Sequence, residues 1–289
     1  MRNIWFVSHP HVEPTILGKK VCPWNMTTKH KRKLIECKHS QFIKSIDDVI
    51  NTDTIYFAGE WECCSFYRKN CQNSWFKNIH NPIFTELDSF HRIQNTDPFV
   101  LGKKFYYTCS GTRKKMKAGD MVIFGSSKGP KNTKLNVDTV LIIEGVVNRF
   151  KNQQVFFSSG YNEVTLSKMP LQKDVFIGQM YEDNRQIFSF VPCRTDSAFD
   201  FPQIMVSHGG IYLHGGSNSN HLEVDHATFK KIYNQIIDDI IAQGFYLGVY
   251  MPMPIFDPLQ VAKSPEDYDY SNYYGRLTHK TTLLKDIFL

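Results

Sequence analysis

Two apolar runs joined by a lysine-rich loop constrain this chain more than any other feature. The first is Met121-Val122-Ile123-Phe124 and the second extends from Val137 to Val147. Short apolar runs bounded by turn residues read as buried strands. Lys117-Ala118-Gly119-Asp120 leads into the first, and Ser126 to Asn136 joins the two, so the segment reads as a β-hairpin core. From Lys103 to Lys134 there are nine Lys or Arg and one acid, Asp120. A buried hairpin carrying that much charge of one sign is a grip for a polyanion. Lys103, Lys104, Arg113, Lys114, Lys115, Lys128 and Lys131 are the candidate phosphate-binding residues.

The rest of the chain bounds this reading. A length of 289 residues is enough to bury a sizeable core. The formal charge of +6 is a modest excess, so its placement matters more than its size. Cations such as Lys29, Lys31, Arg32 and Lys33 crowd the N-terminal half, while Asp238, Asp239, Glu266, Asp267 and Asp269 fall late. The first residues contain no apolar signal region, and no apolar run reaches the roughly 18 residues of a membrane span. The expectation is a cytoplasmic, reduced protein with no membrane association. Cys63 and Cys64 are adjacent and Cys71 lies seven residues further on, which is not the spacing of a zinc site. No metal and no cofactor are expected.

Ile4 to Val7 reads as a first buried strand, residues 12–40 as irregular and basic, and Gln41 to Ile50 as a short helix. Thr54 to Gly59 is a second strand, running into Glu60-Trp61-Glu62. Phe105 to Cys109, Gln154 to Phe157 and Gln186 to Val191 supply further strands. One long helix follows Asp225, a good N-cap, with Phe229, Ile232, Tyr233, Ile236, Ile237, Ile240 and Ile241 on one stripe and Gly244 at its stop. Phe245 to Tyr250 is a last strand. These elements predict an α+β fold: a strongly curved, mostly antiparallel sheet with a few packed helices. Residues 1–258 form one globular domain, and 259–289, with Tyr268, Tyr270, Tyr273 and Tyr274, a C-terminal strap or tail.

Three segments carry candidate chemistry. In an extended backbone Glu60 and Glu62 share one face and Trp61 the other. Carboxylates beside an aromatic ring can read a base edge and stack the base. The plainer reading is a strand end with a buried tryptophan. Second, Ser207 to His221 holds glycine pairs and histidines. Gly209 and Gly210 permit φ > 0 and free backbone N–H groups for a phosphate, and His208 is a candidate general base. Third, His9 and His11 follow the first strand, where α/β proteins place ligands. The candidate catalytic set is Glu60, Glu62, His9 and His208.

Gly119-Asp120-Met121-Val122-Ile123-Phe124, answered by Val140-Leu141-Ile142-Ile143-Glu144-Gly145-Val146, resembles the core of PUA-type barrels, the ASCH, EVE and YTH group. The likeness implies a PUA-like part over about residues 54–160. It also implies binding of RNA, DNA or a modified, flipped base in an aromatic pocket, for which Trp61, Trp75, Tyr106 and Tyr107 are the candidates. A shorter likeness, Tyr56-Phe57-Ala58-Gly59, is similar to the opening of nucleoside deoxyribosyltransferases; that family continues with proline where Glu60 stands here. The expected function is recognition of nucleic acid, DNA ahead of RNA, or of a nucleotide. One alternative is an enzyme cleaving an N-glycosidic or phosphate bond; another is a protein-interaction module. The sequence leaves oligomeric state open.

Overall fold

The computed structural model describes residues 1–8, 32–46, 48–61, 65–72, 76–82, 96–108, 115–127, 132–149, 157–166, 174–182, 186–214 and 221–254. In chain order its strands begin with β1 (Arg2–Ser8), β2 (Lys33–Ile43), β3 (Asn51–Gly59), β4 (Ser65–Lys69), β5 (Asn78–Pro82), β6 (Tyr106–Tyr107), β7 (Met121–Ser126) and β8 (Leu135–Asn148). After helix α1 (Ser159–Val164) come β9 (Asp174–Gly178), β10 (Val191–Arg194), β11 (Gln203–Ile204), β12 (Ser207–His208), β13 (Ile211–Tyr212) and β14 (His221–Val224). Helix α2 (His226–Ala242) and β15 (Tyr246–Tyr250) close the described chain. It is a sheet-rich fold with few helices, as expected.

One sheet runs β14-β1-β7-β8-β9-β6, with β11 also on β8. A second runs β15-β10-β3-β2-β5-β4, and β15 returns to pair with β2, so β15, β10, β3 and β2 close into a small four-stranded barrel. Ring closure removes strand edges that would otherwise template aggregation. The pairings are antiparallel except β1 with β7 and β2 with β5.

The central hairpin of β7 and β8 separates two apolar clusters. Met121, Ile123, Val140 and Ile142 belong to one; Val122, Phe124, Leu141 and Ile143 belong to the other. A strand covered on both faces has no polar face to alternate with, which is why these stretches read as continuous apolar runs. Each such side chain contributes about 1.5–3 kcal/mol on burial. Helix α2 lays Phe229, Tyr233, Ile236, Ile237 and Ile240 into the first cluster. Its Asp225 cap accepts from Thr228 N at 2.8 Å, and Gly244 follows it at φ +81°.

The Gly-Asp turn before β7 is a polar hub. Gly119 has φ +88°, which an L side chain rarely adopts. Asp120 is fully buried. Its Oδ1 accepts from Asn3 N at 2.9 Å, and its Oδ2 from Trp5 Nε1 at 3.0 Å and Lys117 N at 3.2 Å. Asn3 Nδ2 adds bonds at 3.3 and 3.2 Å. One carboxylate thus ties β1 to the start of β7.

The structure departs from the sequence reading in three places. The expected helix over Gln41 to Ile50 is absent: Gln41, Phe42 and Ile43 end β2, paired with β3 on one side and β15 on the other. The irregular basic stretch likewise gives way to strand from Lys33 onward. Phe42, Ile43, Ile46 and Ile50 match helical spacing, but two-sided ladder pairing outweighs that local periodicity. In the expected strand over 186–191, only Val191 falls in β10, while Phe190 makes a single bridge to Val140. Residues 154–156 and 259–289 lie outside the described residues.

A buried charged seam as candidate functional site

The register of the central hairpin slips once. Phe124 faces Thr139 and Gly125 faces Val137, which leaves Asp138 as the extra residue of a β-bulge. A Cβ on Gly125 would sit 1.8 Å from the Asn136 carbonyl oxygen, so only glycine fits opposite the bulge. Bulges re-aim side chains, and they recur beside functional sites.

Here the re-aimed side chain meets the second sheet. Arg32, just before β2, donates from Nε to Asp138 Oδ2 at 2.6 Å and from Nη1 to Glu60 Oε2 at 2.7 Å. Glu60 directly follows β3, and the pairing of Lys33 with Gly59 sets it beside Arg32. The Arg32 side chain is 4% exposed and the two carboxylates 1% each. Ser8, the last residue of β1, faces Gly125, so the carboxyl ends of the parallel pair β1 and β7 border the same seam. Parallel strands present ligands at such ends.

Burial pushes the Asp138 carboxyl above its ordinary range, against the pull of Arg32. Burial opposes the charge on Arg32 as well, but Asp138 and Glu60 outweigh it, and its pKa rises. One guanidinium thus serves two buried carboxylates. A buried ion cluster of this kind is an expensive way to join two sheets, since apolar packing does so at least as well. Perturbed buried carboxylates are also the raw material of acid-base chemistry and of base-edge recognition.

Of the four candidate catalytic residues, Glu60 lies in this seam. His208 sits on the separate, exposed hairpin of β12 and β13, where Gly209 and Gly210 make the tip at φ +57° and +78°. His9 and Glu62 lie outside the described residues, as do Trp75, Arg113, Lys114, Lys128 and Lys131. The expected open aromatic platform is not found at Trp61, Tyr106 and Tyr107. Trp61 and Tyr107 are fully buried, with Tyr107 edge-on to Phe124 at 4.7 Å. Tyr106 is 6% exposed and stacks on Tyr161 at 4.3 Å. All three rings belong to the second apolar cluster.

The described cations of residues 103–134 divide among three places. Lys103 is exposed, and Lys104 donates to Glu144 at 2.7 Å on one flank of β8. Exposed Lys115 and Lys117 stand on the other flank, where Gly119 N bonds Ile143 O at 2.7 Å and Arg2 lies against the same turn. Lys134 is exposed at the far end of the hairpin.

Arg32 and Asp138 escaped the sequence reading. Arg32 stands in a basic stretch that looks like surface charge. Asp138 carries a signal in retrospect: an acid inside a run otherwise destined for burial. Elsewhere, Ser65 Oγ and His80 Nδ1 lie 2.9 Å apart, both buried. Among the described residues no three His, Cys, Asp or Glu converge as metal ligands. Among them, too, no helix is long and apolar enough to cross a membrane. No protein-family model, curated protein or solved structure matches the chain.

Proposed function

We propose that this protein recognises nucleic acid or a nucleotide, with residues 54–160 as its PUA-like part. The observation that carries the proposal is the bracket of cations around the middle of β8. Lys104 pairs with Glu144 on β8, with exposed Lys103 next to it in the chain; exposed Lys115 and Lys117 lead into the turn whose Gly119 N bonds Ile143 O, where the Arg2 guanidinium also lies. The surface between them is open: Glu144 is exposed, Val146 is 41% exposed, and nothing lies within 4 Å of a Cβ placed on Gly145. A strand surface framed by long lysine side chains suits a phosphate backbone, with Glu144 pairing Lys104 until the polyanion displaces it. DNA is the first partner to test and RNA the second. The setting is reducing and cytoplasmic, and Cys37, Cys71 and Cys193 are free thiols.

Charge reversal of Lys104, Lys115 and Lys117 tests this. These side chains are partly or fully exposed, so the fold tolerates the change. Affinity for duplex, single-stranded DNA and RNA should drop. The slope of log K against log salt should flatten by roughly 0.7–0.9 for each phosphate that is no longer neutralised. Unchanged affinity and slope would remove the polyanion grip. A second reading, an enzyme that cleaves an N-glycosidic bond, is favoured by one observation: two buried carboxylates, Glu60 and Asp138, share one guanidinium. It predicts release of free base from DNA, abolished in Glu60→Gln.

A further inference from the structure

A cleft of about 410 Å³ runs along helix α2, walled by the turn after β2 and by Gln186. Its floor is apolar: Ile237 is buried, and Ile46 and Ile241 are half-buried against the first cluster. Leu247 pairs with Ile43, and this register carries Ser45 and Ile46 to the C-terminal half of α2. Asp48 N bonds Ser45 O at 3.2 Å, a turn that fixes this wall. The rim is polar and its order is regular. Lys230, Asn234 and Asp238 follow at four-residue spacing, so a cation, an amide and a carboxylate stand one turn apart on one face of the helix. Lys230 Nζ donates to the Gln186 side-chain oxygen, a neutral partner that leaves its charge and two of its N–H donors to the cleft.

Charge order narrows the ligand. A polyanion would be repelled by Asp238, and a simple amine by Lys230. An uncharged apolar molecule would strip water from both charges and replace it with nothing. A ligand with a carboxylate at one end and an ammonium at the other answers both, and Asn234 between them offers a donor and an acceptor to an amide. Lys230 and Asp238 are two helical turns apart, about 12 Å along the axis. An extended dipeptide spans about 7 Å, and a hydrogen bond of about 2.8 Å at each end brings it to that separation. We propose that the cleft binds a zwitterionic dipeptide with an aliphatic side chain. Its carboxylate pairs with Lys230, its peptide group with Asn234, and its ammonium with Asp238 and the Ser45 hydroxyl. The side chain covers Ile46, Ile237 and Ile241. This site stands apart from the nucleic-acid reading, since the cations around β8 take no part in it.

The test uses the full chain and the dipeptide alanyl-leucine, followed by saturation-transfer NMR and calorimetry. The zwitterion should bind, and N-acetylation or C-amidation should each weaken it about tenfold, the effect of one charged hydrogen bond. Glycyl-glycine should bind more weakly, because it leaves the isoleucines uncovered. Lys230→Met should bind free acid and amide alike, and Asp238→Asn should bind free amine and N-acetyl form alike. Asp238 is exposed and Lys230 half-buried at the rim, so the core is left intact. The capped ligands decide the matter even if a variant fails to fold. No binding of alanyl-leucine, binding unaffected by either cap, or wild-type preferences in both variants would each overturn the assignment. If the amidated form bound as well as the free acid, the cleft would be reading a free amino end alone, and the dipeptide assignment would fall.

Discussion

Asp120→Ala should be among the most destabilising single changes in the chain. The carboxylate is fully buried and answers the backbone N–H of Asn3, the indole N–H of Trp5 and the backbone N–H of Lys117, with the Asn3 amide as a weaker fourth donor. Removing it strands the Asn3 and Trp5 donors in the interior, at about 1–3 kcal/mol each. Lys117 is exposed and its N–H can turn to water, so it adds little. The expected loss is about 4 kcal/mol, a large part of a typical domain stability of about 5–15 kcal/mol. Asp120→Asn keeps the shape and one acceptor, and should lose about 2 kcal/mol. Urea unfolding followed by tryptophan fluorescence gives both numbers. A loss below about 1 kcal/mol for the alanine variant would refute the hub, because it would mean the donors find other partners at no cost. If the alanine variant does not fold, the asparagine variant still supplies the magnitude.

Other consequences are equally measurable. Gly125→Ala forces a methyl against the Asn136 carbonyl and should lower stability by about 3 kcal/mol or more in the same urea assay. Tyr233→Phe removes a hydroxyl that accepts from Phe188 N at 3.1 Å and donates to Phe188 O at 2.8 Å, so about 1–3 kcal/mol should be lost. Arg68, then Asn81 and Tyr56, hold the Glu36 carboxyl down at about 2 against opposing burial. Because the folded value lies below the ordinary one, this contribution is intact above the usual carboxylate range and fades as pH falls toward 2. Glu36→Gln should therefore show a shallower loss of stability than wild type between about pH 5 and 2, and equal slopes would refute the network.

The residues legible from sequence share one property: their role is set by near neighbours in the chain. Helix α2 is an example, since Asp225, the stripe from Phe229 to Ile241 and Gly244 each act within one or two helical turns. The strands at Ile4 to Val7 and Met121 to Phe124 are legible because burial on both faces leaves an apolar run, while in Thr54 to Gly59 half-buried Thr54 and Tyr56 alternate with buried Ile55 and Phe57. Gly119-Asp120 stood out as a turn into β7, but its hub function depends on Asn3 and Trp5, more than a hundred residues away. Spacing misled at Gln41 to Ile50, where pairing with β3 and β15 overrode a helical pattern.

Composition and local spacing were enough to establish a chain rich in strands, a doubly buried hairpin at its centre and a crowd of cations around that hairpin. Both encode burial and charge, and those need no partner to be read. Which charges face solvent and which face each other depends on the folded arrangement. Lys104 reaches Glu144 on β8, and Lys117 leads into the turn whose Gly119 N bonds Ile143 O on the same strand. Arg32, Glu60 and Asp138 meet across 28 and 106 positions of chain because a one-residue bulge turns Asp138 toward the other sheet. A bulge shifts the facing of a side chain by one residue, and in a strand whose two faces are both apolar no hydrophobic pattern marks where that shift occurs.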